Sequence, residues 1–333
     1  FYKDISQNYF NGNINFGSSG SNVLSDTNKL QTRVINNLTY NSLDFISNLG
    51  FKNNFGINLK NLNSIGKKSS KYKSSAQSEL ISLYNFDVSL PLIRENEKSQ
   101  NLLTPKISFR FNPSDMKNYS TGSSTIDANN AFTINRLGLS DSYESGRSLT
   151  LGLDFNIERF KFEQDQDENL TDRKKNRDND KLDQINNYFN IKLATVLRDK
   201  EENFIPHSST LNKKNSNLFG SISNKFSDNI SIGYDFSLDN DFNTLEYNSI
   251  GTTLSNNNIV TTFNFTETNG ERGDTSIFAT SIEYNINEEN FLTFKTRRNR
   301  KINFTEYYDL VYQYKNDCLT AGIKYKKTYY KNG

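Results

Sequence analysis

The chain has 333 residues, 40 Lys+Arg against 38 Asp+Glu, 34% hydrophobic residues and 13% aromatics. The net charge of +2 is spread along the chain, so no basic stripe points to nucleic acid. No stretch nears the roughly 18 to 20 continuous apolar residues of a helical membrane span. The 25 Phe and 18 Tyr argue against disorder, and one Cys, one His and no Trp leave almost no material for a metal site, a cofactor or a nucleophile–histidine pair.

Alternation at period two recurs along nearly the whole chain, with no convincing long helix. Strands are expected at about 5–16, 28–45, 50–62, 76–93, 101–112, 147–158, 185–198 and 216–224. They continue at about 229–239, 244–255, 258–267, 274–286, 290–297, 305–315 and 318–330. Tyr84, Phe86, Val88 and Leu90 share one face, as do Ile107, Phe109 and Phe111. Leu149, Leu151, Leu153, Phe155 and Ile157 alternate with Ser148, Thr150, Gly152, Asp154 and Asn156. Further on, Phe189, Ile191 and Leu193, then Ile230, Ile232, Tyr234, Phe236 and Leu238, repeat the pattern. Phe278, Ile282, Tyr284 and Ile286, and Tyr308, Leu310, Tyr312 and Tyr314, complete it.

Soluble strands average about 5 to 6 residues, whereas these runs last roughly 9 to 13, enough for a tilted strand to cross a bilayer. Tight turns near 227–229, 255–258, 287–290 and 315–317 alternate with longer connections near 239–243, 266–274 and 298–304. That alternation is the pattern of an outer-membrane barrel, with short turns in the periplasm and long loops outside. It puts 205–214, 112–146 and 63–75 outside, and 94–99 and 47–50 in the periplasm. The expected fold is therefore an all-β, antiparallel transmembrane β-barrel, spanning 1–333 as one domain, with a charged insertion at about 161–183. About fifteen strands is an odd number, where single-chain bacterial barrels have even ones. With Phe1 no initiator and Lys331, Asn332 and Gly333 stopping mid-strand or mid-turn, the chain is expected to be an incomplete part of a larger barrel.

Cys318 follows a tight turn at the periplasmic rim, where an oxidising compartment favours pairing with a Cys outside the chain; a buried free thiol is the alternative. His207, beside Ser208 and Ser209, is the only general base a barrel hydrolase could use, against the plainer reading of a solvated loop residue. Acidic runs at 165–168 and 178–180 lack the spacing of a Ca²⁺ loop and are interleaved with Arg and Lys. Arg110, Asp154, Lys192, Asp235 and Glu283 fall on polar strand faces as possible lumen-lining residues, with Arg297, Arg298, Arg300 and Lys301 near a long-loop end. If that face lines a lumen, these charges meet polar or phosphorylated cargo, Arg being suited to bidentate phosphate contact. A lumen-facing Leu row would need a core that so wide a barrel lacks, so the apolar faces are expected to contact outer-membrane lipid.

Four segments carry a resemblance: 101–118 (NLLTPKISFRFNPSDMKN), 131–155 (AFTINRLGLSDSYESGRSLTLGLDF), 205–222 (IPHSSTLNKKNSNLFGSI) and 307–330 (YYDLVYQYKNDCLTAGIKYKKTYY). The text resembles the later part of the barrel domain of the LptD family, the outer-membrane lipopolysaccharide assembly proteins. The resemblance implies a barrel of about 26 strands, a lipoprotein plug of the LptE type, and a lateral opening between first and last strands. It also implies a periplasmic N-terminal domain, outside this chain, that meets a periplasmic bridge protein and receives lipopolysaccharide. Family disulfides link that domain to the end of the barrel at a position matching Cys318. Some members have two adjacent cysteines where this chain has Asp317 and Cys318, so one bridge is expected. The implied role is non-enzymatic assembly of lipopolysaccharide into the outer leaflet of a Gram-negative outer membrane. The alternatives are a general porin or receptor-type channel and a barrel hydrolase.

Overall fold

The computed structural model describes residues 2–9, 11–26, 28–69, 71–96, 99–160 and 185–329. The charged insertion expected at about 161–183 therefore lies outside the described residues. Eighteen strands form one sheet. In chain order they begin with β1 (Tyr2–Tyr9), β2 (Gly12–Ser25), β3 (Lys29–Ser42), β4 (Phe45–Ile46), β5 (Lys52–Lys67) and β6 (Gln77–Ser89). Next come β7 (Leu92–Asn96), β8 (Ser99–Asn112), β9 (Gly146–Phe160), β10 (Ile185–Arg198), β11 (Leu218–Ser227) and β12 (Ile230–Leu238). The last six are β13 (Leu245–Asn256), β14 (Ile259–Thr268), β15 (Thr275–Asn285), β16 (Asn290–Asn299), β17 (Phe304–Lys315) and β18 (Thr320–Thr328). The registers make an antiparallel meander in which each pass pairs with the next, leaving β1 and β18 at its edges.

Two of the strands continue their predecessors. β3 and β4 both pair with β5, and β6 and β7 both pair with β8, so eighteen segments make sixteen passes among the described residues. The second break falls at Leu90 and Pro91, opposite Pro105, where two prolines remove ladder donors. The sequence reading of about fifteen strands misses a hairpin at the start: a strand at 5–16 straddles the turn between β1 and β2. The turn closes at Asn11, whose φ of +53° is a turn conformation, and Gly12 already pairs with Tyr9. The count of passes is even, and the argument from an odd number lapses.

The alternation of connections holds. On one side lie short turns such as those between β11 and β12 or β17 and β18; on the other lie 68–76, 113–145, 199–217, 239–244 and 269–274. On the long-loop side β2 and β3 are joined by a short connection, Ser25 pairing with Lys29. Two single-turn 3-10 helices, His207–Ser209 and Gly270–Arg272, sit in those long connections. No helix among the described residues is long and apolar enough to cross a membrane.

The two faces of the sheet differ as the period-two pattern demands. Tyr84, Phe86, Ile107, Phe109, Ile250, Ile282, Tyr284, Leu310 and Tyr312 remain 38 to 45% exposed. Cross-strand rings pair on this outer face, Phe263 with Phe278 at 6.5 Å and Phe294 with Tyr308 at 6.2 Å between centroids. Buried strand residues on the other face are largely polar: Asn58, Lys60, Ser64, Ser108, Arg110, Asn112, Ser148, Thr150, Ser237 and Glu246. In a water-soluble sheet the exposure would be reversed. An apolar exterior around a polar interior is the arrangement of a transmembrane barrel wall.

Candidate functional site: the polar face and its cap

The inner face is not left open everywhere. The long connection 113–145 folds back along it, joined by 199–217, and covers the inner sides of β3 to β11. Its core holds Met116, Ile126, Ala131, Leu137, Leu139, Ile205 and Leu211, packed on inward Ala194, Val196 and Phe219. A second cluster joins inward Ile81 and Leu83 to Tyr143 of the connection. Apolar residues thus do face the interior, contrary to the expectation of a wholly polar inner wall. The folded connection supplies the second layer they need.

Polar strand residues meet the cap's backbone and charges. Lys60 Nζ donates to the carbonyls of Ser140 and Ser142, each at 3.1 Å, and lies 4.3 Å from the Tyr143 ring centroid. Arg110 donates to the carbonyls of Phe132, Thr133 and Ile134 at 2.9, 2.6 and 3.3 Å. Lys192 Nζ donates to Asn129 Oδ1 at 2.9 Å. Gly152 is where the wall makes room for the cap: a Cβ there would lie 2.5 Å from the Phe132 ring. From the far side, Arg272 donates to the Ile126 carbonyl at 2.9 Å and covers Phe219 and Tyr247. The wall therefore curves round this connection, since residues as distant in the sheet as Arg33 on β3 and Arg272 after β14 touch it.

Two buried ionic centres fasten the cap. At the first, Glu144 accepts a bidentate pair from Arg136, Nε to Oε2 at 2.6 Å and Nη2 to Oε1 at 2.7 Å, and also pairs with Arg198. Arg136 further donates to Thr150 Oγ1 and Ser148 Oγ at 2.8 and 3.0 Å, tying the cap to β9. Burial by itself would push the Glu144 carboxyl up; the guanidinium groups of Arg136, Arg198 and Arg110 outweigh it and hold it at about 2. At the second, Asp141 accepts from Tyr72 Oη at 2.5 Å and from Tyr119 Oη, with Lys71 Nζ 3.0 Å away. Burial, and then the Asp141 hydrogen bond and charge, raise the Tyr72 phenol above its ordinary value. Arg33 Nη1 stands 3.7 Å from the same carboxylate and donates to Ser140 Oγ at 2.9 Å.

Apart from the acidic runs, the residues singled out from the sequence can be placed. Arg110 and Lys192 hold the cap. Asp154, opposite Lys192, pairs with Lys106 just below it. Asp235 and Glu283 lie on the same inner face of β12 and β15, in register with Ser249 and Thr293, beyond the cap's reach. Cys318 is exposed in the β17–β18 turn, its N–H donating to Asn316 Oδ1 at 3.1 Å. His207 Nδ1 lies 3.1 Å from Asn212 Nδ2, while Ser208 and Ser209 hydroxyls donate to backbone carbonyls of Ser124 and Pro206, so no nucleophile is paired with the ring. The acidic runs at 165–168 and 178–180 lie outside the described residues. The basic group near the β16 end divides: Arg297 faces inward and pairs with Glu306 at 2.9 Å, whereas Arg298 lies opposite outward Phe278.

The sequence reading treated 112–146 as an external loop and missed the cap. One signal was available: Ile126, Ala128, Ala131, Phe132, Ile134, Leu137, Leu139 and Tyr143 are too apolar a set for a solvated loop. The arrangement has two chemical capacities: a hydrated charged interior under β12–β18, and a tightly held lid over the other half.

Among solved structures, a triple mutant of Rh. blastica porin with two introduced tryptophans aligns at 8% identity over 98% of this chain and 100% of that chain, with a TM-score of 0.29. A second triple mutant of the same porin, with two acidic residues replaced by alanine, gives 8%, 98%, 100% and 0.30. No curated protein matches. The family model described as LptD, LPS transport system D, matches residues 7–291, and the chain belongs to that family of outer-membrane lipopolysaccharide transport barrels.

Proposed function

We propose that the chain is a section of the barrel that passes lipopolysaccharide from the periplasm to the outer leaflet in a Gram-negative cell. The observation that carries this reading is the division of the inner face. The half from β3 to β11 is filled by the cap, and the half from β12 to β18 keeps polar groups such as Asp235 and Glu283 at an uncovered surface. A phosphorylated sugar end travels along the uncovered half, where Lys295 supplies a cation. The acyl chains leave sideways into lipid at an opening formed with strands beyond this chain. The cap fills part of the interior and confines the open route to the β12–β18 half, which favours a translocon over a general pore.

On this reading a lipoprotein plug of the LptE type occupies the wide hydrated space, and a periplasmic domain joined to the bridge protein delivers cargo. Cys318, exposed at the short-turn end, bonds to a cysteine of that domain. The test is site-specific photocrosslinking in the full-length protein in cells. A photoreactive residue at Asp235 or Glu283 is expected to capture lipopolysaccharide, and one at outward Tyr284 to give no energy-dependent adduct. Equal capture at all three positions rejects the lumenal route.

A further inference from the structure

The outward rim of β14–β17 carries a second feature that the lumenal route does not use. Phe265, Phe278 and Arg298 follow one another across β14, β15 and β16, all in register on the outer face. The Arg300 N–H donates to the Ser276 carbonyl at 2.7 Å, which extends the ladder and sets Arg300 beside Arg298 at the long-loop edge. Its guanidinium covers the Phe265 ring, 5.4 Å from the centroid. Arg298 is oriented by Asn303, whose amide oxygen accepts from Nη2. Below them the outer face is apolar: Phe263, Phe294, Ile282, Tyr308 and Leu310. Two guanidinium groups thus crown an aromatic band at the level where lipid headgroups begin.

Two shallow cavities open here, of about 430 and 530 Å³, and Arg300 lines both. The larger is lined by Phe278, Arg298, Arg300 and Asn303, with no carboxylate. The smaller contains Glu267, which accepts from Asn248 Nδ2 at 3.2 Å, and Lys301, whose charge is met by Asp274. Among the described residues no carboxylate lies within ion-pair distance of Arg298 or Arg300. An unneutralised pair of guanidiniums on a lipid-facing wall is costly unless an anion comes to it. A comparable rim position provides the contrast. Arg147 covers Phe111 at 5.5 Å, but its cavity also contains Asp115, Asp199 and Glu202.

We propose that Arg298 and Arg300 form an external binding site for the phosphate of an outer-leaflet lipid, whose acyl chains lie along Phe278 and Phe294. Arginine suits the task because its planar fork binds phosphate oxygens in pairs and its face stacks on Phe265. The site holds lipid on the outside of the wall, on the face opposite the lumenal route of the transport reading above. It rests on that reading only for its membrane orientation.

The test uses the full-length protein in phosphatidylcholine nanodiscs, with bisphosphorylated lipid A, its dephosphorylated form and inorganic phosphate as probes, read by native mass spectrometry. The expected result is at least about a tenfold preference for the phosphorylated lipid, lost in Arg298→Ala/Arg300→Ala and kept in Arg147→Ala. The lysine pair Arg298→Lys/Arg300→Lys retains part of it, and heat-modifiable gel migration checks that each variant is folded. If the alanine pair does not fold, a lysine pair as selective as the parent overturns the site. Equal retention of both lipids also overturns it, as does displacement by millimolar inorganic phosphate, which indicates a soluble-anion site. Outer-leaflet lipopolysaccharide is measured separately in cells depleted of the protein. Unchanged surface levels there defeat the transport reading while leaving the phosphate preference to be judged by itself.

Discussion

The two halves of this sheet bury their inner faces in different ways. From β3 to β11, inward Leu62, Ile81, Leu83, Val196 and Phe219 are at most 2% exposed, because connections of the same chain lie on them, Tyr72 of 68–76 against Leu62 and the cap against the others. From β12 to β18, apart from Ser237, Glu246 and Asp309, the inner face has no such cover among the described residues, and β18 is exposed at every position. The same alternating strand code thus supports a packed core in one half and a wet wall in the other. Which one results depends on the connection, since strands alone give only the two faces. The polar face of a barrel is a lumen only where nothing in the chain folds onto it.

Removing the cap's ionic fastening is the largest expected way to erase the contrast. Arg136→Ala leaves Glu144 buried with one bidentate partner gone, at a cost of about 3 to 5 kcal/mol to cap docking. Hydrogen exchange should rise across 113–145 and stay unchanged in β14–β17; a uniform rise or none would refute the cap as a separate layer. Gly152→Val drives a side chain into the Phe132 ring and should cost about 1 to 3 kcal/mol, seen as protease cleavage within 113–145. Lowering pH acts through Glu144, whose carboxyl is held from 4.5 down to about 2. The folded value lies below the unfolded one, so this stabilisation is full above about 4.5 and fades as pH falls towards 2. Cap protection against protease should follow that window, and Glu144→Gln should remove the dependence. The smallest effect belongs to the open half. Lys324→Ala breaks its pair with Asp309, but Lys324 is more than half exposed, so the thermal unfolding of the barrel should change by no more than about 1 kcal/mol.

Much of the wall was legible because period-two alternation is local: Leu149 to Ile157 and Ile230 to Leu238 declare their faces without reference to anything else. Turn parity was legible for the same reason; alternation also assigns Arg110, Asp154, Lys192, Asp235 and Glu283 to one face, but it gave no sign that Arg110 and Lys192 hold a cap there. The cap was not, because its bonds are long-range. Lys60 meets Ser140 and Ser142, and Arg33 meets Ser140 and Asp141, with about 80 to 110 residues between the partners in sequence. No spacing rule links such residues. The β1–β2 hairpin was missed for a smaller reason: its turn, closing at Asn11, sits between apolar residues that read as one continuous alternating run. The division of Arg297 from Arg298 was legible from alternation alone, once the strand was followed one residue at a time.

The reach of the cap also has a kinetic consequence. Residues 113–145 are synthesised before β9 to β18, yet they close against Arg33 from upstream and Arg272 from well downstream. They have no complete seat until the strands on both sides are in place. Closure of this non-local structure is therefore a late event in assembly, and a barrel stalled midway would present Val196 and Phe219 to its own interior water. A quality-control factor that senses greasy surface inside an unfinished barrel could tell such an intermediate from the mature wall, because docking the cap removes that surface in one step.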